Sequence, residues 1–177
     1  MKTSIVVIVF FASSMLLSVL SQAQVRAPIL MLARQIAADS TVDAEFIGRA
    51  AVTTEQYRRS VVLLAQASEA ELLALTDHSS PAVRCYAYQG LCERKSKALL
   101  ISLRKHELDT AAVVVNVGCF GLSLTVISSM RQDFMAQQKL LPILLSPADT
   151  LLLARLNKAE DDKFELRMKR RRQRLKH

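Results

Sequence analysis

Leu75-Thr-Asp-His-Ser-Ser-Pro-Ala-Val-Arg-Cys-Tyr-Ala-Tyr-Gln-Gly-Leu91 reads as a turn followed by a helix. His78-Ser-Ser-Pro81 ends one segment and opens the next, because proline at the first helical position loses no hydrogen bond and Ser80 before it can cap. Val83, Ala87 and Leu91 then recur at four-residue spacing, the buried stripe of a helix ending near Glu93. Upstream, Ser68-Glu-Ala-Glu71 has the capping-box form, in which serine oxygen and glutamate carboxylate each take a free backbone N–H. A short helix through Leu72, Leu73 and Leu75 follows from it. Two short helices joined by a tight turn are thus the unit from which the rest of the chain is read.

Working outward, Pro28 to Ala38 predicts a helix with Ile29, Leu32, Ala33 and Ile36 on one face. Ser40 to Gly48 is a break holding a short helix. Thr54 caps a helix to about Ala67, with Val61, Leu64 and Ala65 on one side. Beyond the central unit, Ser96 restarts the chain, and Leu99, Leu100, Leu103 and Leu108 form the next apolar face. Asp109-Thr110 opens the segment from Ala111 to Met130, which has 20 residues and no charge. That is long enough to span ~30 Å as a helix. Asn116, Gly118, Gly121, Ser123, Thr125, Ser128 and Ser129 dilute its hydrophobicity, so a buried core helix is expected over a membrane span. Val113-Val-Val115 has local strand propensity within it. Ser146-Pro147-Ala-Asp149 starts a last helix toward the C-terminus. Aromatics make up 5% of the chain and tryptophan is absent, which favours helix packing over a sandwich or barrel.

The pattern Leu72-Leu73-x-Leu75-x-Asp77-x-x-Ser80-Pro81-x-Val83-Arg84-x-x-Ala87-x-x-x-Leu91 resembles the HEAT repeat. The resemblance implies stacked antiparallel helix pairs, with the Asp and Arg positions bonded across neighbouring turns; here Asp77 and Arg84 would take that repeat-stacking role. A weaker copy lies 31 residues on, where Val114, Gly118, Gly121 and Leu122 stand at the positions of Val83, Ala87, Gly90 and Leu91. Leu108-Asp109 precedes it, and Val115 replaces the arginine. The phrase Val-Arg-Cys-Tyr-Ala, with Gly118-Cys119 downstream, is also similar to exported HEAT-like proteins of Bacteroidetes, a likeness that implies no activity. The fold expected is all-α: a short HEAT-like helical repeat, an α-solenoid, with helical caps. Residues 24–60 form the N-terminal cap, 61–130 two helical hairpins, 131–162 the C-terminal cap and 163–177 a basic tail.

Both ends of the chain carry a second kind of signal. Met1-Lys2, an apolar run from Ile5 to Leu17 and the small residues of Ser21-Gln22-Ala23 form a secretory signal peptide, cut after Ala23. The apolar run is shorter than the ~20 residues of a membrane anchor, and no cysteine follows the cut to carry a lipid. The mature protein is therefore expected in the periplasm or outside the cell. Its formal charge of +8 is uneven: residues 24–162 hold 15 basic and 15 acidic residues, whereas residues 163–177 hold 8 basic and one acidic.

Few residues point to chemistry. The chain has no His-Glu-x-x-His helix, no Cys-x-x-Cys, no Gly-x-Ser-x-Gly elbow and no phosphate-cradling glycine loop. Cys85, Cys92, Cys119 and His106 match no common zinc spacing. Cys85 and Cys92 lie ~10.5 Å apart on one helix, beyond disulfide reach, while Cys119 could reach one of them. No catalytic residue, metal or cofactor is expected. The expected function is a non-enzymatic scaffold that binds another envelope or extracellular protein, with Tyr86, Tyr88 and Gln89 as contacts. The alternative is a peripheral membrane protein, held to anionic lipid by Lys169, Arg170, Arg171 and Arg172. Nucleic acid fits poorly, because the tail lacks stacking aromatics.

Overall fold

A computed structural model describes residues 25–140 and 144–174. In chain order the elements are α1 (Ala27–Asp39), β1 (Thr41–Ile47), α2 (Glu55–Gln66), α3 (Glu69–Leu75), α4 (Pro81–Glu93), α5 (Leu99–Lys105), β2 (Ala112–Gly118), β3 (Phe120–Thr125), α6 (Val126–Leu140) and α7 (Pro147–Arg174). The expected all-α solenoid is therefore overturned: the fold is mixed α/β, with seven helices and a three-stranded sheet among the described residues. The proposed signal peptide, residues 1–23, lies outside them.

The central unit folds as its residues dictate. Ser68 accepts from the Glu71 amide, and Glu71 accepts in return from the Ser68 amide at 2.8 Å, which starts α3. Pro81 opens α4, the hub of the molecule, which packs against α1, α2, α3, α5, α6, β1 and β2. Because α4 is covered on every side, its burial exceeds one stripe: every residue from Ala82 to Tyr88 is buried. Gly90 lets α2 and α3 approach α4, since a Cβ there would stand 2.6 Å from a methyl of Leu64 and 3.0 Å from one of Leu72. α2 starts at its Thr54 cap but turns a different face inward than expected. Gln56, Ser60 and Leu63 are buried, while Val61 and Ala65 are exposed. The reason is polar: the Gln56 amide donates to Ile36 O and Thr41 O, closing the end of α1 against the start of β1.

Two segments depart from helix altogether. Residues 41–47, expected as a break with a short helix, form β1 and pair in parallel with β2, Thr41 opposite Val114 and Asp43 opposite Asn116. Residues 112–125 fall within the segment expected as one buried helix, and instead form the antiparallel hairpin β2–β3. Val113 is 3% exposed and its neighbour Val114 43%, the alternation of a half-buried strand rather than a helical stripe. The valine run decides this locally, since β-branched side chains pack well on a pleated sheet. Two-residue Gly118-Cys119 then turns the chain back. Gly118 has φ +53°, the left-handed value that the first position of a type II′ hairpin requires. Among the described residues no helix is long and apolar enough to cross a membrane.

Candidate docking site

The sheet order is β1-β2-β3, so β1 and β3 are its edges, and the two edges differ. β1 is closed off. Its register slips between Asp43 and Ile47, and the Asp43 amide donates to the Tyr86 hydroxyl at 2.7 Å. The Asp43 carboxylate accepts from Thr54 at 2.7 Å and from Asn116 at 2.8 Å. β3 is open. Its sequence Phe-Gly-Leu-Ser-Leu-Thr carries no charge and no proline, its register with β2 is unbroken from Phe120 to Thr125, and Phe120 through Ser123 are exposed.

Strand register sorts the side chains. Val113 pairs with Leu124, Val115 with Leu122 and Val117 with Phe120, which places all six on one face. Helices cover that face only at its lower end: Val113 is buried and Val115 and Leu124 pack against the core. Toward the turn the cover runs out, leaving Val117, Leu122 and Phe120 exposed, Phe120 at 73%. Phe46 and Val52 are also exposed near this end, where Ile47 bridges Val52 and pairs with Gly118. A small cavity of about 200 Å³ there is lined by Ile47, Gly48, Asn116 and the turn residues. Cys119 at the turn is exposed and free.

At the other end of β3 a polar hub meets α7. Thr125 and Ser128 share a hydroxyl hydrogen bond at 2.7 Å, Ser128 donates to Glu160, and Lys163 lies 3.1 Å from the same carboxylate. Burial opposes ionisation of Glu160, but the hydrogen bonds from Ser128 and Lys163 and the nearby cations outweigh it and hold its pKa below the usual value. These residues, with Ser123, Leu124 and Thr125, line a cavity of about 170 Å³ beside the strand. A second, of about 210 Å³, continues along α7 between Leu108, Ile127 and Leu156.

The residues singled out in the sequence lie elsewhere. Tyr86 and Tyr88, expected as partner contacts, are 1% and 0% exposed, which removes them from any docking surface. Their hydroxyls serve the backbone: Tyr86 holds β1, and Tyr88 donates to Leu99 O at 3.3 Å. Burial raises both phenol pKa values, that of Tyr86 to about 12. Gln89 is half-buried, donates to Glu93, and lines a shallow cavity between α2 and α4. Arg84 and Asp77 do not bond each other. Arg84 pairs with Asp109 through one hydrogen bond, NH2 to Oδ1 at 3.1 Å, with Nε 2.8 Å from Oδ2, and its NH1 donates to His78 O and Ser79 O. Asp77 pairs with Lys105 at 2.5 Å and lies 3.4 Å from His106, whose other ring nitrogen is 3.4 Å from Asp109. So both residues tie neighbouring turns, but through Asp109, Lys105 and His106.

Lys169 is exposed on α7. The backbone of Arg170, Arg171 and Arg172 continues that helix, and their side chains lie outside the described ones. Cys85 and Cys92 are buried and free, and burial pushes the Cys85 thiol up to about 12 and that of Cys92 upward as well. Among the described residues no His, Cys, Asp and Glu group is arranged to hold a metal ion. Sequence reasoning missed β3, although Gly118-Cys119 between two alternating apolar runs was the signal for it. Comparison with protein-family models, with curated proteins and with solved structures finds no match.

Proposed function

We propose that this chain is a non-enzymatic protein-binding module, exported to the periplasm or the cell exterior, and that it docks another envelope or extracellular protein along β3. One observation carries the reading: β3 is an uncharged edge strand with no partner on its outer side among the described residues, and it displays Leu122 and Phe120 to solvent. Edge strands are ordinarily guarded by lysine, proline or a bulge, because their free N–H and C=O groups recruit another strand. β3 has none of these guards. An extended segment of a partner can add to it as a further strand, main-chain bonds giving affinity and side-chain contacts giving selectivity.

Export rests on the sequence of residues 1–23, and the proposed cut after Ala23 falls just ahead of the first contacts of the fold. Arg26, three residues past the proposed cut, forks onto Glu71, Nε to Oε1 at 2.8 Å and NH2 to Oε2 at 2.9 Å. The hydrogen bond from Arg26 holds the Glu71 carboxyl well below the usual carboxylate range despite its burial. A chain beginning at Gln24 keeps this clasp and every described contact. Intact mass of the protein recovered from the cell envelope should match a chain from Gln24 to His177, and recovery from the cytoplasm with Met1 in place would sink export.

Docking is tested in cells with a photo-crosslinking amino acid at Leu122 and, as a control, at Ile101, which is also exposed and apolar but lies on α5. A discrete adduct at 122 and none at 101 is expected; no adduct at 122 defeats the reading. A second reading, attachment to anionic lipid, draws on α7. Among the side chains described on that helix Leu156 is the last buried one, and Lys169 near its basic end is exposed.

A further inference from the structure

We infer, on the basis of the docking reading above, that the strand added to β3 is β3 of a second copy of this chain. The two strands run antiparallel about Leu122, so that two exported copies share one six-stranded sheet. A two-residue turn makes Val117 and Phe120 the closing pair that exchanges both main-chain bonds. Alternation from that pair aims the N–H and C=O groups of Leu122 and Leu124 at β2, and those of Gly121 and Ser123 outward. Gly121 and Ser123 are thus the outward residues of the exposed run from Phe120 to Ser123. A two-fold axis at Leu122 sets Gly121 of each copy against Ser123 of the other, which satisfies the main-chain groups of both. It also places Leu122 opposite Leu122 and Phe120 opposite Leu124, all on the apolar face. Closed two-fold pairs are the commonest assemblies of identical chains.

Shape, area and charge each suit a second copy. Helices cover the apolar face at Val113 and Leu124 and leave it bare at Val117 and Phe120. Antiparallel addition sets the bare end of one copy beside the covered end of the other, so the helices over Leu124 wall the open side of Phe120. Register also carries Phe46 into the row of Val117 and Phe120, since Ile47 pairs with Gly118. At ~200 Å² for a whole phenylalanine, Phe46, Val117, Phe120 and Leu122 expose on the order of 400 Å² per copy, a patch of the size that marks interaction sites. Two copies bring ~800 Å², and the paired main chains complete the ~1,000 Å² at which a specific interface begins. On a two-fold axis each side chain meets its own kind, so a charge there would repel; β3 and its turn are uncharged from Gly118 to Thr125. The hub of Thr125, Ser128 and Glu160 lays α7 beside the end of β3, where Glu160, Asp161, Asp162 and Glu165 outnumber Lys163. Antiparallel pairing holds the two Thr125 ends ~20 Å apart, about two screening lengths at 0.1 M salt. Parallel pairing would set these acidic segments side by side.

The test uses the chain from Gln24 to His177 with Cys119→Ser, which leaves the buried Cys85 and Cys92 as its thiols. To this are added Leu122→Cys or, as a control on the same face, Phe120→Cys. Directly opposite residues flanked by hydrogen-bonded pairs have Cα atoms ~4.5 Å apart, within disulfide reach. The two Phe120 positions lie ~14 Å apart, beyond it. Under mild oxidation, a non-reducing gel should show about tenfold more linked dimer for Leu122→Cys than for Phe120→Cys. The unsubstituted chain should sediment at twice the mass of one copy. Leu122→Lys should sediment as a single copy, because like charges directly opposite repel, and mixing it with Leu122→Glu should restore the pair. That rescue excludes misfolding as the cause of the loss. Equal linking at 120 and 122, or a single-copy mass for the unsubstituted chain, overturns self-pairing. A photo-crosslinked adduct at Leu122 with a different protein, alongside that single-copy mass, overturns the second copy and leaves docking at β3 intact. No adduct of any kind defeats docking, and this inference with it.

Discussion

Replacing Arg84 by methionine should destabilise the protein by about 3 kcal/mol, the low end of the 3–5 kcal/mol seen when one partner of a buried ion pair is removed. The structure sets the lower figure. The two side chains are 11% and 15% exposed, so some solvent reaches Asp109 once its partner is gone. His106 and the Ala111 amide also remain within reach of that carboxylate. The carbonyls of His78 and Ser79 lose a donor, but they belong to a turn whose Ser79 is exposed, and water can replace the guanidinium there. For a chain of this length 1 kcal/mol moves the midpoint by about 2–4 °C, so thermal unfolding followed by far-UV circular dichroism should show a loss of about 6–12 °C. Asp109→Asn alone should cost less, because the amide still accepts from Arg84. In the double variant the two losses should fall short of their sum by about 1–2 kcal/mol. A loss under about 1 kcal/mol for Arg84→Met, or strict additivity in the double variant, refutes the view that this pair fastens α4 to the loop that leads into β2.

Three further outcomes follow from the same geometry. Val113→Asp should abolish folding or cost about 4 kcal/mol or more by burying an unpaired charge, while Val114→Asp next to it should stay within about 1 kcal/mol; equal effects would contradict a strand at 112–118. Of the three thiols, Cys119 alone should react rapidly with a disulfide reagent in the native protein, Cys85 and Cys92 only on unfolding; three fast equivalents would contradict their burial. Asp133 has its pKa raised to about 7 by burial and by the charge of Glu93. Its folded value lies above the unfolded ~4, so its neutral form favours folding below pH ~4 and that stability is lost as pH rises through about 7. Asp133→Asn should flatten urea stability across that window and stabilise the protein above it; an unchanged pH profile would sink the assignment.

Helix starts were legible because they are local events. The capping box at Ser68–Glu71, the Ser80-Pro81 entry to α4 and the Ser146-Pro147-Ala-Asp149 entry to α7 need only a few residues each, and Ser146 and Asp149 do exchange hydrogen bonds there. The strands were not legible in the same way. β1 gains its partner from residues 73 positions downstream, as the Asp43–Asn116 hydrogen bond shows, and nothing within 41–47 announces that pairing. The valine run at 113–115 did carry strand propensity, but a 31-residue spacing to the first helical hairpin argued against it, and packing followed the propensity. The candidate site divides along the same line. The basic end of α7 is plain in the charge count. The open edge of β3 depends on which strand lies outermost, a property of the assembled sheet. Tyr86 and Tyr88 were expected at the surface because one stripe of α4 seemed enough to anchor it, whereas the helix is enclosed all round.

The parallel seam between β1 and β2 also fixes an order of events during folding. The regular elements between its two strands, α2 to α5, are helices that close through shorter-range contacts, which assemble quickly, whereas the seam itself must close a long loop. The helices would then gather around α4 before the sheet exists, and the hairpin with its free edge would be the last part to reach its place. During synthesis that edge would emerge after α1 to α5 but before α6 and α7, so it would stand bare until the helices that complete the core around α4 have followed it.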